Sequence, residues 1–469
     1  MHRRPDAKFA ELHRGSRPVG LFGCHSTPDR RRSGKSSRFR SSGFGARGRN
    51  ARRGGIALVC AGEPAISTTR MSTLFLIVFV DLVGFGLVIP LLPFYAERFA
   101  ASPLQMTALF ATFSLMSLLT APLWGRLSDR VGRRPVLMAS MAAAALAYLW
   151  MAFATQLWML FAARGFAGAC AGNIAAAQAY IADVTPPEKR AKGMGMIGAA
   201  FGLGFIIGPA LGGAIAGNDI ATADLATPCL IAAGLSFAAF LGVMLLLPES
   251  LTGPAHGNRR GRVAAARAAL SHPGLGRLLM VFFLVILAFS GMETVFAWWA
   301  IAQFGWGPRP TGFVFFYVGL LSAAMQGGLI GPLTRRFGEE RLMLAGFGLI
   351  ALGLLVMPFA AALPLLLGAV SALALGMGLT QPSINSLISR RAGADRQGEV
   401  MGVAQSAGAL ARVLGPLAAG ALFAEFGRNS PFLWGAVLVA TALALGWRLP
   451  RAIGAPVAAG PQKPVGAGE

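Results

Sequence analysis

After Met71 the chain becomes a run of apolar stretches, each roughly 20 residues long and set off by short polar breaks, which is the length a helix needs to cross about 30 Å of hydrocarbon. Twelve such spans are read, at 73–95, 104–125, 136–156, 158–182, 191–217, 227–247, 276–303, 311–333, 341–360, 363–388, 399–425 and 431–448. Composition agrees. Of 469 residues 55% are hydrophobic and 13% charged, and the mean hydropathy of +0.60 lies outside the range of soluble globular chains. The expected surroundings are the lipid bilayer, and the expected fold class is an all-α membrane protein.

The net charge of +23 has two sources. Residues 1–70 hold sixteen Lys/Arg against four Asp/Glu, giving +12. This tail is rich in Arg, Ser and Gly and lacks the periodicity that buries a core, so it reads as disordered. A transit peptide and a basic arm for nucleic acid or anionic lipid are weighed for it, and upstream sequence attached by a misassigned start is preferred, because Met71 stands directly before the first span. No nucleic-acid partner is expected. The SGKSS run at 33–37 fails as a phosphate loop, since Asp29 stands where a Gly is needed and no apolar strand precedes it. The other arginines and lysines lie between spans. Alternate loops carry Arg126, Arg130, Arg133 and Arg134; Lys189, Arg190 and Lys192; Arg259, Arg260, Arg262, Arg267 and Arg277; Arg335, Arg336 and Arg341; and Arg390, Arg391 and Arg396, whereas the opposite loops carry Arg98, Arg309 and Arg428. By the positive-inside rule both termini are expected in the cytoplasm.

The two halves repeat each other. GRLSDRVGRRPVL at 125–137 returns as GPLTRRFGEERLM at 331–343, an offset of 206 residues, and MGMIGAAFGLGFIIGPALGG at 194–213 aligns with MGVAQSAGALARVLGPLAAG at 401–420, an offset of 207. Two motifs at nearly one spacing imply duplication of a six-helix unit, with a binding cavity between two pseudo-symmetric bundles. The expected parts are a tail at 1–70, bundles at 71–248 and 276–448, a cytoplasmic linker at 249–275 and a second tail at 449–469.

The same motifs carry a family resemblance. GRLSDRVGRRPVL resembles the loop between helices 2 and 3 of the major facilitator superfamily; GLGFIIGPALGG resembles the antiporter motif of its drug:proton exporters; DLVGFGLVIPLLP at 81–93 and AYIADVTPPEKRA at 179–191 are similar to tetracycline-resistance exporters. The resemblance implies the major facilitator fold, working as a monomer, and proton-coupled efflux of a small amphiphilic compound. It also implies that the loop bearing Gly125, Asp129, Arg130, Gly132, Arg133 and Arg134 closes the cytoplasmic side in the outward-facing state.

Elementary physics supplies roles for these residues. Gly204, Gly208 and Gly212 share one helical stripe that admits a partner helix, Pro209 removes a backbone hydrogen bond, and Gly213 adds to a hinge-like contact. Asp129 can sit against a helix N-terminus or an Arg of the other half. Of fifteen acids after Met71, Asp81 and Glu293 fall well inside spans, where an ionised carboxylate is expensive and proton exchange becomes accessible. These two, with Arg164 at the head of RGFAGACAGN, are the expected proton-coupling residues; Arg412 is the second intramembrane cation. A structural ion pair or hydrogen bond across the bundle is the competing role for Asp81. Polar groups at membrane depth must line water or substrate, or bond helix to helix. The expected cavity residues are Gln326, Gln381, Asn385, Asn173, Gln178 and Trp298, with span 10 discontinuous at Pro382.

Departures from the pattern limit the cargo. Tetracycline exporters carry acids in spans 3 and 9, where Ala147 and an acid-free span stand here; Ala167 replaces a usual Gln. An importer or facilitator, and a non-transporting sensor, are the alternative functions. Cys24, Cys60, Cys170 and Cys229 show no paired spacing, and neither a Cys/His cluster nor a nucleophile beside a base appears. No metal, cofactor or enzymatic activity is expected.

Overall fold

A computed structural model describes residues 64–186, 190–251, 262–393 and 396–448. The basic tail and the C-terminal tail read from the sequence lie largely outside them. Among the described residues twelve helices are long and apolar enough to span a membrane: span 1 Arg70–Arg98, span 2 Pro103–Val131, span 3 Arg133–Ala152, span 4 Leu157–Val184, span 5 Gly193–Ala216, span 6 Ala226–Leu246, span 7 Gly274–Phe304, span 8 Pro308–Phe337, span 9 Glu339–Phe359, span 10 Leu363–Ala392, span 11 Gln397–Phe426 and span 12 Ser430–Trp447. A helix at Arg262–Ser271 precedes span 7.

Local chemistry sets the span ends. Span 2 opens on a capping box in which the Ser102 hydroxyl accepts from Gln105 N and the Gln105 side chain accepts from Ser102 N, with Pro103 at the first helical position. Span 8 also opens on a proline, Pro308 after Gly307, but without a side-chain cap. Spans 2 and 3 are divided by Gly132 at φ 106°, and spans 8 and 9 by Gly338 at φ 79°, backbone angles that favour glycine.

Four spans are not plain α-helices, span 9 through a 3-10 turn at its end, Met357–Phe359. Span 1 contains a 3-10 turn at Ile89–Leu91. Span 4 breaks between its pieces Leu157–Ala169 and Asn173–Val184. Span 8 widens into a π-turn at Met325–Leu329. Span 10, expected to be discontinuous at Pro382, runs unbroken over Leu363–Ala392; the proline removes one backbone donor without parting the helix. The π-turn also accounts for the repeat's register. Before it Phe99 and Pro103 match Phe304 and Pro308, 205 residues on, and after it Gly132 matches Gly338, 206 residues on, since a π-bulge absorbs one extra residue.

Each half is held by its own close approaches. A Cβ on Gly208 would lie 2.6 Å from Gly86 in span 1, and one on Gly415 would lie 2.6 Å from the Leu287 carbonyl in span 7. The halves meet along two seams, span 5 against span 8 and span 2 against span 11. At one end the seams are tight. A Cβ on Gly213 would lie 2.6 Å from the Pro308 carbonyl, one on Gly420 would strike the Thr107 hydroxyl, and Arg309 N donates to Gly217 O at 3.0 Å. Toward the arginine-rich end they part: a Cβ on Gly195, Gly198 or Gly202 of span 5, on Gly327, Gly328 or Gly331 of span 8, or on Gly125, Gly398 or Gly402 of spans 2 and 11 would meet nothing within 4 Å.

The two cores differ. The second half has one large continuous cluster, from Leu278 through Phe347 and Ile384 to Val439, with a small satellite of Met325, Leu342 and Leu379 beside it. The first half has two, one around Leu87, Phe94 and Leu160 on the closed side and one around Leu74, Leu137 and Ile181 on the open side.

Candidate functional site

Asp81 lies where the first half's core divides. It is 4% exposed, its Oδ1 accepts from Ser236 Oγ at 2.8 Å and its Oδ2 accepts from Asn173 Nδ2 at 2.6 Å. Both oxygens are therefore met by neutral donors, and the hydrogen bond across the bundle weighed for this residue is present. Asn173 opens the second piece of span 4, so the helix break aims its amide at the carboxylate. Free backbone groups inside a bilayer are costly, and side chains of spans 2 and 3 reach the break to meet them. Ser140 Oγ donates to Cys170 O at 2.6 Å and accepts from Gly172 N and Asn173 N, both at 3.0 Å, while Trp124 Nε1 donates to Ala169 O at 2.7 Å. One hydroxyl thus uses its single donor and both lone pairs.

Arg164 stands in the other piece of span 4. It is 3% exposed, its Nε has no hydrogen-bond partner, and its guanidinium carbon lies 4.5 Å from the centre of the Phe113 ring, a cation–π contact. Phe113 in turn packs on Phe85 with centroids 5.7 Å apart, and Phe85 on Phe205 at 6.0 Å. A charged side chain from span 4 therefore caps an aromatic cluster built by spans 1, 2 and 5.

Glu293 and Arg412 form the second half's charged site. Ser290 Oγ donates to Ala411 O at 3.2 Å, and a Cβ on Gly291 would lie 3.0 Å from Gly415 O, so spans 7 and 11 nearly touch between these residues. Glu293 is half-buried and Arg412 exposed, and each acts on the other electrostatically. Among the described residues neither makes a hydrogen bond or an ion pair within 4 Å.

The remaining expected residues separate into three places. Gln326 sits exposed on the π-turn, Gln178 is exposed on span 4, and Gln381 and Asn385 are half-buried on span 10. Trp298, expected in the cavity, is instead buried at the closed end, where Nε1 donates to Pro93 O at 3.1 Å and the ring lies 6.1 Å from Phe423. Trp299 is buried in the second-half core and donates to Asn429. The glycine stripe divides its work: Gly204, Gly208 and Gly212 abut Leu82, Gly86 and Leu87 of span 1, while Pro209 and Gly213 face Gly312 of span 8.

In the loop after span 2, Arg133 is 7% exposed. Its Nη1 donates to Asp129 at 2.6 Å and its Nε to Asp183 at 3.0 Å, so Asp129 pairs with an arginine of its own loop, where one of the other half was considered. Glu249 accepts from Arg133 N at 2.9 Å and Arg134 N at 3.1 Å, and Arg134 Nη2 donates to Met244 O. A Cβ on Gly132 would strike the Glu249 carboxylate. Arg130 is exposed. Burial pushes the Glu249 carboxyl up, but backbone donation from Leu251, Arg133, Arg134 and Ser250 outweighs it and holds the group below the usual range. Sequence reasoning missed Glu249, Ser140 and Ser236. A lone Ser in an apolar span was the available signal for the last two; Glu249 gave none, since its partners lie more than a hundred residues away.

The chain matches known proteins over most of its length. Residues 74–416 and 327–465 match the Major Facilitator Superfamily. The tetracycline resistance protein, class C, of Escherichia coli is 34% identical over 360 residues, 74% of this chain and 87% of that protein. Multidrug resistance protein 2 of Bacillus subtilis is 27% identical, covering 81% and 96%. Among solved structures, the human organic anion transporter MFSD10 (TETRAN) superposes with a TM-score of 0.62 at 27% identity, covering 81% of this chain and 99% of that one.

Proposed function

The chain belongs to the major facilitator superfamily, a multi-pass membrane transporter and not an enzyme, and on that premise we propose that it exports a small amphiphilic compound in exchange for protons by alternating access. The observation that carries the reading is the pairing of seams tight at one end and parted at the other with a carboxylate at membrane depth in each half, Asp81 buried and Glu293 half-buried. The parted end bears the arginine-rich loops, so under the positive-inside rule it faces the cytoplasm, both termini lie there, and this is the cargo-loading state of a monomer in the inner membrane. The cavity is lined by Gln178, Gln326 and Arg412, which are exposed, and by the half-buried Gln381 and Asn385, since accessible polar groups at this depth face water and not lipid.

Exchange follows from the cost of charge at depth. A proton from the outside neutralises Asp81 or Glu293 and removes the penalty of a bare carboxylate; release inward restores a site that prefers a positively polarised cargo. Arg164, held by Phe113, adds a fixed positive charge that reaches Tyr148, the buried phenol on which Asp81 also acts. The antiporter stripe gives span 5 one rigid face against span 1 and one breakable face against span 8, and resemblance to the tetracycline and multidrug resistance proteins supports the outward direction. The loop from Gly125 to Arg134 closes the cytoplasmic side when the halves rock.

The test is uptake of fluorescent dyes and antibiotics into everted vesicles, comparing the parent with Asp81→Asn and Glu293→Gln. Uphill uptake that stops when the proton gradient is collapsed, and falls at least tenfold in both variants, is expected. Accumulation that survives collapse of the gradient removes proton exchange, and full activity in both variants removes the carboxylates from coupling.

A further inference from the structure

Glu293 and Arg412 are placed as neighbours and left apart. An acid and a guanidinium serving only as a structural pair at membrane depth close to about 2.7–2.9 Å, because each bare charge is costly there. These two make no such contact, although spans 7 and 11 almost touch beside them through Ser290–Ala411 and Gly291–Gly415. Gly408, one turn before Arg412, leaves the room for this arrangement: a Cβ there would lie 3.1 Å from the Phe282 ring, with the Arg412 guanidinium next at 3.6 Å. Arg412 also shares a helix face with Gln405 and Gly402, all exposed, while the exposed leucines Leu410 and Leu414 occupy the opposite side of span 11. The polar face opens on the parted seam and the leucines suit lipid.

Resting on the transport reading, we propose that Glu293 and Arg412 form a bipolar subsite and that the cargo is amphoteric, presenting an acidic group to Arg412 and a basic group to Glu293. The space between the two charges is then filled by the ligand's own charges, each paired by hydrogen bonds that neither side chain makes within the protein. A purely cationic amphiphile leaves Arg412 bare, and a purely anionic one leaves Glu293 bare; both omissions are penalised at this depth.

Three dyes on one xanthene scaffold test this: rhodamine 110, which carries both an acid and amino groups; rhodamine 123, its methyl ester; and fluorescein, which has the acid and no amines. Binding is read by fluorescence anisotropy on the full chain in lipid nanodiscs, which needs no proton gradient. The parent should bind rhodamine 110 at least tenfold more tightly than either relative. Arg412→Gln should erase the gap between rhodamine 110 and rhodamine 123 without weakening rhodamine 123, and Arg412→Lys should keep part of the preference, which separates a lost charge from a lost fold. Glu293→Gln should bring rhodamine 110 to the level of fluorescein. Equal binding of the three dyes by the parent, no binding of rhodamine 110, or an equal loss for rhodamine 110 and rhodamine 123 in Arg412→Gln overturns the subsite. Dye preference that holds while vesicle uptake ignores the proton gradient sinks proton exchange and leaves the bipolar subsite standing; gradient-driven uptake without dye preference does the reverse.

Discussion

The two halves share a backbone plan and differ in what lies at its centre. In the second half one large apolar cluster runs from end to end with a small satellite beside it, and Glu293 and Arg412 belong to neither. In the first, a layer made by Asp81, Asn173, Ser236 and Ser140 cuts the core in two. By the 205-residue offset Asp81 falls on Ile286, which is 6% exposed in the continuous core. The same contrast recurs at the helix starts after Gly132 and Gly338. Span 9 opens with Glu339 and Glu340, acids where the helix dipole favours them, and Glu339 pairs with Arg390 at 3.2 Å. Span 3 opens with Arg133 and Arg134, and needs Asp129, Asp183 and Glu249 to correct the polarity. Duplication fixed the positions of turns and close approaches; charge diverged freely as long as each half balanced its own.

The contrast can be broken most severely by moving the acid. Ile286→Asp puts a carboxyl into an apolar core with no donor provided, at a cost of several kcal/mol, and should abolish monodisperse protein in detergent extracts. Should it accumulate normally, the second core is less continuous than described. The converse change, Asp81→Asn, keeps one donor satisfied and should leave folding nearly intact while transport falls at least tenfold. A smaller loss is expected for Ser140→Ala, which uncaps the break in span 4 and should cost about 1–3 kcal/mol on thermal unfolding, with no loss from Ser383→Ala in the unbroken span 10, where the buried hydroxyl makes no hydrogen bond.

The smallest effect concerns Glu249. Its carboxyl sits below the usual range in the folded chain, so the stabilisation it brings is complete above its unfolded value near ~4.3 and fades as pH falls through the lower folded value. Glu249→Gln should melt slightly earlier than the parent at neutral pH, and the gap should close on acidification below about pH 4. A gap that widens there reverses the sign of this contact.

The span count, the repeat and the end residues were legible because length, duplication and capping are written in neighbouring positions. The breaks were not. The gap in span 4 spans Cys170, Ala171 and Gly172, small residues that leave hydropathy high, and its cause is a serine thirty residues earlier in another helix. Pro382 gave the opposite error, since a helix packed on both sides loses one hydrogen bond at a proline and carries on. Asp81 and Glu293 stood out as acids in apolar runs, but whether each is paired depends on Ser236, Asn173 and Arg412, which only folding brings near. Trp298 was misplaced for the same reason: its neighbour is a carbonyl two hundred residues away.

That contact has a further meaning. Trp298 and Pro93 are themselves equivalent under the 205-residue repeat, so the indole and the carbonyl it reaches lie where the pseudo-twofold axis passes through the closed end. In a dimer of identical six-helix chains that point would set a residue against its own copy, so an indole there would come twice and two bulky rings would compete for the space on the axis. Joining the copies into one gene lifts the restriction and lets one side become the giver and the other the receiver. The latch at the centre of the closed end joins two different residues, a tryptophan and a proline, where an exact twofold would demand the same residue twice.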